Sequence, residues 1–471
     1  MRVLKLLVPT MACALFAVTV NAQVIEHPTS VKPIGFTYDY YKMSQPGAPD
    51  GSPSDVVPQP DAVPTGGKGK VADSCGCATN CDSCGGCDSC GCNGGCGCSC
   101  FLFGPEEAWT LQSHLFGDCD CGPTIAGWLE FGWHDNLVPM SFARDDVLSF
   151  GDVPNVLQAN QMYMYVEQAA EGGDCCWDFG YRIDGMYGTD AQKMQAFGNP
   201  PLAVGGTPRG WDNTWDNGVY GWSIPQAYIE LARGDWSIKA GHFYTLVGYE
   251  VITAPDNFFY THALTMFNSE PFTHTGVIGT HSTTENLETY WGWTLGWDTG
   301  FDQFGNGSSY LGGFSYSVND DLSLTYISTA GNLGFRGTQA YTHSIVMQAQ
   351  MTSNLSYVLQ SDFVHIGAAT AAAVGGPGVG TGDDQIGINQ YMFYSLSDCL
   401  SIGGRAEWWK SDSISYYEVT GGINYKPHAN ITLRPEIRYD WTPNRVPDAN
   451  RLYPVGTNNV TTFSMDMIFT F

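Results

Sequence analysis

Two stretches near the end of the chain, ITLRPEIRYDW at Ile431–Trp441 and FSMDMIFTF at Phe463–Phe471, alternate apolar and polar residues with a period of two. Successive side chains of a β-strand point to opposite faces, so this pattern predicts strands with one apolar and one polar face. Stretches 179–187 and 400–409 repeat the alternation. We therefore expect an all-β fold built from many such strands.

The composition fits a β-protein whose surface partly contacts something other than water. Charged residues make up 14% of the 471 residues, against about 25% in typical globular proteins, while aromatic residues reach 13% and glycine occurs 57 times. The formal net charge of −27 excludes a nucleic-acid binder, because phosphate groups require a basic surface. So many aromatic residues also exclude disorder along the whole chain.

The N-terminus predicts export from the cytoplasm. Arg2 and Lys5 precede an apolar run that ends with small residues before position 23, as in a cleaved secretory signal, and Pro9 argues against a membrane anchor. After it, no run of about 18 apolar residues exists, so membrane helices are excluded but membrane strands are not. The expected organisation is a signal peptide at 1–22, a disordered Pro/Gly-rich linker at 23–74, a Cys-rich segment at 75–123 and a β-barrel at 124–471.

The Cys-rich segment holds ten cysteines within 26 residues, separated mostly by Gly, Ser, Asp and Asn. In an exported chain such spacing predicts disulfides or intermolecular cross-links first; metal binding is the second interpretation and redox catalysis the third. We predict no metal centre and no cofactor, and we take Cys175, Cys176 and Cys399 as incidental or locally paired. The cross-link candidates are Cys75, Cys77, Cys81, Cys84, Cys87, Cys90, Cys92, Cys96, Cys98 and Cys100.

The region after residue 123 reads as about sixteen antiparallel strands, an even number as in single-chain bacterial membrane barrels. Its connections alternate in length, which random hairpins would not do: tight links at 233–235, 319, 352 and 397 lie on one side, and long links at 134–154, 188–219, 244–272, 367–383 and 442–457 lie on the other. The alternation alone would also fit a sheet of a soluble protein with one solvent-exposed face. The aromatic ends of the apolar faces and the terminal Phe471, which resembles the ending of outer-membrane barrels, favour a transmembrane antiparallel barrel.

One long link is unusual for a loop. Residues 245–271, TLVGYEVITAPDNFFYTHALTMFNSEP, are too apolar and aromatic for an exposed connection. We predict that this segment folds into the barrel lumen and constricts it; a lid on the rim or a subunit contact is the alternative. Its candidate constriction residues are Glu250, Asp256, His262 and Glu270.

Several short motifs give a family resemblance. Residues 240–245 read AGHFYT, residues 254–260 read APDNFFY, and residues 270–277 read EPFTHTGV. Together with GYEV at 248–251 and GWTLGWD at 292–298, they resemble the core of the β-barrel porin-2 (OmpL-like) family. The resemblance extends from about residue 126 to the C-terminus. It implies an outer-membrane barrel of porin type, and it names no solute.

The expected function is passive diffusion of small hydrophilic solutes or ions through the constricted lumen of an outer-membrane porin. We hypothesise that Arg405, Arg434 and Arg438 form a basic patch opposite the acidic loop; mutual neutralisation of inward charges across strands is the alternative. By alternation, the inward charges are Arg182, Asp184, Glu230, Lys239, Arg405, Glu407, Glu418, Arg434, Glu436, Arg438 and Asp440.

Three other functions stay open at this stage. A non-channel surface barrel or adhesin could be anchored or cross-linked through the Cys-rich segment, and a soluble β-sandwich could bind carbohydrate. An outer-membrane enzyme is disfavoured, because His134, His262 and His274 lie in no recognisable nucleophile motif. The expected partners are outer-membrane lipid, small solutes or ions, a disulfide-linked partner and further copies of the chain, but no nucleic acid.

Overall fold

The computed structural model describes residues 108–116, 122–142, 149–173, 176–196, 211–212, 215–303, 305–368, 381–411, 413–443, 453–454 and 457–471. The predicted signal peptide, the linker and the ten cysteines at 75–100 lie outside these residues. Of the other cysteines named above, Cys176 is exposed and has a free thiol, and Cys399 is disulfide-bonded rather than incidental.

Strands dominate the described residues, and three short α-helices accompany them. The helices are α1 (Leu111–Phe116), α2 (Thr189–Met194) and α3 (Leu264–Ser269), and 3-10 turns lie at Ala254–Asp256 and Gly334–Arg336. The strands are β1 (Thr124–His134), β2 (Gln158–Gln168), β3 (Asp178–Gly188), β4 (Asp216–Asn217), β5 (Tyr220–Ser223), β6 (Ala227–Arg233), β7 (Trp236–Tyr244), β8 (Thr273–Thr284), β9 (Leu287–Thr294), β10 (Ser308–Asn319), β11 (Leu322–Asn332), β12 (Ala340–Thr352), β13 (Leu355–Ala368), β14 (Thr381–Ser397), β15 (Leu400–Ser411), β16 (Ile414–His428), β17 (Ile431–Trp441) and β18 (Asn459–Thr470).

Each strand pairs antiparallel with its neighbours, and β1 pairs with both β2 and β18, which closes the sheet into a barrel. The wall has sixteen strand positions, called staves below, as predicted. The strands β5 and β6 both pair with β3 and so share one stave, and β4 pairs only with β5 and lies outside the closed wall. One wall strand is interrupted between Ser223 and Ala227. Pro225 lies in that gap, and proline cannot donate to the ladder.

The two faces of the wall are inverted relative to a soluble protein. On β18, Phe463, Met465 and Met467 are between 40% and 44% exposed, whereas Ser464 and Asp466 between them are at most 2% exposed. Strands β3, β6, β14 and β17 repeat this order, with Ile183, Ile229, Met392 and Ile437 exposed. An apolar outer face and a polar interior are what a barrel in lipid requires. Among the described residues, no helix is long and apolar enough to cross a membrane.

The connections sort by length onto the two ends of the barrel. Two-residue turns at 234–235, 285–286, 320–321, 353–354 and 398–399 lie at the end that carries Phe471. Helix α1 belongs to this end too, because the Trp109 amide donates to the Asn430 side chain at 2.8 Å and Asn430 donates back to the Trp109 carbonyl at 2.7 Å. The longer links, including 245–271, start from the opposite end, as the sequence predicted.

Candidate pore constriction

The segment 245–271, called the inserted loop below, lies against the inner wall of the barrel. Several of its side chains occupy places where the wall carries an inward-facing glycine. A Cβ atom at Gly403 would lie 2.5 Å from the Phe258 ring, which shows how closely the loop approaches. Three further contacts of this kind pair Gly132 with Tyr260, Gly387 with Thr265 and Gly422 with Phe259.

Arg434 on β17 fixes the first turn of the inserted loop. Its Nη1 donates to the Ala254 carbonyl at 2.8 Å and to the Asn257 carbonyl at 2.6 Å. Its Nε donates to Asp466 at 2.9 Å, and its Nη2 lies 3.3 Å from Glu130. One buried guanidinium therefore joins loop backbone to two wall carboxylates through charge-assisted bonds, which are stronger than neutral ones.

Arg405 on β15 makes a second connection of the same kind. Its Nη1 donates to the Glu250 carboxylate at 2.7 Å and to the Thr261 carbonyl at 2.6 Å, while its Nε donates to Glu418 at 2.9 Å. Burial alone would raise the pKa of Glu250, but Arg405, His262 and the Ala263 amide together hold that pKa at about 2. Glu250 is thus an ion-pair partner of the wall.

Two wall carboxylates accept hydrogen bonds from loop amides. Glu436 accepts the Tyr260 amide at 2.9 Å and the Thr261 amide at 3.2 Å. Glu407 accepts the amides of Leu264 and Thr265, both at 2.6 Å, which are the first two residues of α3. The first amides of a helix have no partner within the helix, and a carboxylate there also meets the positive end of its dipole. Glu407 therefore caps α3 from the wall strand beside it.

The three arginines of the predicted basic patch are all buried beside acidic groups. Arg438 donates to Asp440 at 2.7 Å and also to the carbonyl of His262. Arg405, Arg434 and Arg438 are at most 2% exposed. The arrangement corresponds to the mutual neutralisation named above, with the loop backbone as an additional acceptor.

The other predicted constriction residues occupy different surroundings. The imidazole Nδ1 of His262 lies 3.6 Å from the Glu250 carboxylate. Glu270 accepts a hydrogen bond from Gln360 at 2.6 Å, and burial followed by the nearby Asp362 raises its pKa. Asp256 lies half-buried on the 3-10 turn at Ala254–Asp256.

The remaining predicted lumen charges form a second group, on β2, β3, β6 and β7. Arg182 lies 2.8 Å from Asp184 and 3.1 Å from Glu167, and its guanidinium stacks on Tyr165 at 4.2 Å. Lys239 faces Glu230 directly across the β6–β7 pair and lies 4.1 Å above the Tyr228 ring. This group is separate from the arginines that bind the inserted loop.

Apolar side chains dominate where the inserted loop meets the wall from β6 to β11. Val247 belongs to a buried cluster there, with Leu246 packed against it. The wall members of that cluster are Tyr228, Phe243, Ile278, Tyr290, Leu311 and Ile327.

Sequence reasoning missed several inward carboxylates. Glu130 shares a face with Trp128, and Asp466 shares one with Ser464, so the alternation already contained the signal. The eleven lumen charges of the prediction comprise five basic and six acidic residues, and the structure adds more acidic than basic groups. The additional buried or half-buried acids are Glu130, Glu167, Glu288, Asp362 and Asp466, and the added bases include Arg336 and Lys426. In the part of the chain that is described, no three His, Cys, Asp or Glu side chains are placed to hold a metal ion.

A closed sixteen-stave barrel with an apolar outside, a polar inside and a loop folded into its lumen defines a porin of the outer membrane. The family comparison agrees: the model described as "Putative beta-barrel porin-2, OmpL-like" matches residues 122–471, and the chain belongs to that family. The family and the fold indicate a channel rather than an enzyme. No curated protein sequence matches the chain.

Solved structures similar to this chain are bacterial outer-membrane proteins. OmpT of Vibrio cholerae, described as a trimer form, has a TM-score of 0.46 at 11% identity and covers 74% of this chain and 99% of its own. The outer-membrane channel DcaP of Acinetobacter baumannii has a TM-score of 0.48 at 10% identity, covering 75% of this chain and 99% of its own. An anion-selective porin from Comamonas acidovorans reaches 0.48 at 9% identity, covering 74% and 99%.

Proposed function

We propose that this porin conducts small hydrophilic solutes and ions passively and that it prefers cations. The observation that carries the preference is the excess of carboxylates among the inward-facing side chains. Charges that line a narrow, water-filled constriction favour the oppositely charged ion. The inserted loop occupies part of the lumen, and the surplus negative charge of the surrounding wall would favour cations along the remaining path.

We further propose that the predicted basic patch serves mainly to hold the inserted loop. Arg405, Arg434 and Arg438 each bond to a wall carboxylate and to a loop carbonyl. A guanidinium bonded in this way has little capacity left for a passing anion. The transverse field expected from the sequence would then be weak at this point.

Planar-bilayer recording of the purified chain tests the function directly. In a KCl gradient, we expect discrete conductance steps and a reversal potential of the sign that marks K⁺ as more permeant than Cl⁻. A Cl⁻ preference would contradict the proposed selectivity, and a barrel without conductance would favour the surface-barrel alternative. Arg434→Ala and Arg438→Ala should change the conductance through loop position; an unchanged selectivity in both would also exclude the basic-patch hypothesis.

The chain outside the described residues enters as a proposal as well. Residues 1–22 would direct export, and 23–74 would connect to the Cys-rich segment at 75–123. Because Trp109 contacts the turn at Asn430, on the end with short links, the preceding segment would start from the periplasmic side. Disulfide-linked partners would then be periplasmic. Further copies of the chain would contact one another through the outer wall.

A further inference from the structure

A small cavity lies near the outer end of the barrel, between the first long link, helix α2 and the inserted loop. It has room for about one water molecule. The cavity wall is apolar on the side of the first link and polar on the other. Its lining includes Val138, Phe150, Asn160, Asp190, Tyr260 and His262.

The Asp190 carboxyl lies in this cavity without a described cationic side chain at ion-pair distance. Its carboxylate is 7% exposed and accepts hydrogen bonds from Gln161 at 3.0 Å and Thr189 at 3.2 Å, both neutral donors. Within the described residues, no Lys, Arg or His comes within ion-pair distance of it. A buried carboxylate that lacks a counter-charge is costly, so it must gain either a proton or a cation.

A second acceptor in the same cavity has no donor. Asn160 is 3% exposed; its Nδ2 donates to Thr189 at 3.1 Å, but its Oδ1 receives no hydrogen bond from the described residues. This oxygen and the Tyr260 hydroxyl both border the space that a Cβ at Gly132 would occupy, so they lie on the same side of the cavity. Buried acceptors of this kind are normally satisfied, by water or an ion where protein donors are absent.

The surrounding charges do not supply the missing cation. Arg434 is shared between Asp466 and Glu130, and the second oxygen of Glu130 also lacks a donor. Lys193 on α2 pairs with Asp152 at 3.3 Å. Burial raises the pKa of Asp190; Gln161 opposes that shift through its hydrogen bond, and His262 and Lys193 oppose it from beyond ion-pair distance.

We propose that this cavity binds one small monovalent cation, with the Asp190 carboxylate as counter-charge and the Asn160 carbonyl oxygen as a ligand. K⁺ and NH₄⁺ are close to a water molecule in size, which suits the space. A divalent metal fits less well, because it needs more carboxylate or imidazole ligands than the described residues bring together here. The bound ion would join the first link, α2 and the inserted loop at one point.

Cation-dependent stability of the full-length protein in detergent tests the site without any channel recording. The temperature at which the folded barrel is lost is measured while KCl or NH₄Cl replaces N-methyl-D-glucamine chloride at constant ionic strength. We expect a saturable rise with either small cation, because a ligand that binds only the folded state stabilises it. Equal midpoints in all three salts would overturn the proposal and would indicate that Asp190 holds a proton.

Three variants separate the site from general ionic effects. Asp190→Asn should weaken the apparent affinity for K⁺ by at least about tenfold, because a buried counter-charge is lost. Glu285→Gln, in the exposed turn between β8 and β9, removes the same charge elsewhere and should keep the wild-type response. His262→Gln should also respond to K⁺; loss of its response together with retention by Asp190→Asn would assign the effect to His262 and overturn the proposed ligand set.

Discussion

The inserted loop meets two sides of the barrel in two different ways. Toward β15 and β17, Arg405, Arg434 and Glu436 bond to its backbone through buried charges, beside an apolar cluster that includes Trp409. Toward β6 to β11, its Val247 packs within an apolar cluster. Charge-assisted hydrogen bonds require one geometry, whereas apolar contact is non-directional. We conclude that the charged side determines where the loop lies and that the apolar side fills the remaining space.

The largest expected effect comes from removing a central charge on the charged side. Arg434→Met should lower the free energy of unfolding by about 3–5 kcal/mol, because Asp466 and Glu130 would stay buried without their cation. Unfolding of the folded barrel by denaturant in detergent measures this change in the free energy of unfolding. Arg233→Met, at the exposed end of β6, is the matched control and should change stability by at most about 0.5 kcal/mol. Equal effects of both variants would remove the distinction between the two sides.

Acid should weaken the same side through Glu250. The pKa of this carboxyl is about 2, against an ordinary value of 4.5, so its contribution to stability is complete above pH 4.5 and disappears as the pH falls toward 2. The corresponding loss is about 3 kcal/mol. We expect the stability difference between wild type and Glu250→Gln to shrink over this pH interval. A difference that is constant with pH would show that Glu250 is not held by Arg405.

Adjacent glycines offer a sharper test of loop position. Gly403 faces the lumen beside Phe258, whereas the nearest atom to a Cβ at Gly404, on the outer face, is a backbone oxygen 3.8 Å away. Gly403→Val should displace Phe258 and cost about 1–3 kcal/mol, as overpacking usually does. Gly404→Val should be nearly neutral. If the order of the two variants were reversed in thermal unfolding, the loop would not lie against this wall.

The smallest effect is expected on the apolar side. Val247→Ala removes two buried methyl groups and should lower the free energy of unfolding by about 1–2 kcal/mol. The conductance and the ion preference should stay at their wild-type values, because the charged anchors are intact. A change in conductance as large as that of the charged-side variants would mean that the apolar side also positions the loop.

The sequence predicted the barrel because its signals are local and periodic. The alternation at Phe463–Phe471 and the sorting of short and long links depend only on neighbouring residues. Both the number of strands in the wall and the alternation of inward- and outward-facing side chains follow from them. Pro225 in the sequence already marks the interruption between β5 and β6. Local patterns of this kind can be recognised in a single sequence.

The loop anchors could not be predicted in the same way. Arg434 and the Ala254 carbonyl are 180 positions apart, and the acceptor is a backbone atom that every residue possesses. Glu407 resembles any other inward carboxylate until α3 is known to begin beside it. The inward glycines were visible in the alternation, but their role depends on which loop side chain fills the space. Pairings of this type require the three-dimensional structure.

The central claim is that charged wall residues hold the inserted loop across the lumen and thereby set the size of the pore. Single-channel conductance of the double variant Glu407→Gln/Glu436→Gln tests it most directly, because both changes weaken bonds to loop amides without changing side-chain volume. Glu230→Gln/Glu288→Gln is the control with the same change in charge on the opposite side. We predict a larger unitary conductance than wild type for the first variant and a wild-type pore size for the second. Equal conductance of wild type and Glu407→Gln/Glu436→Gln would contradict the account.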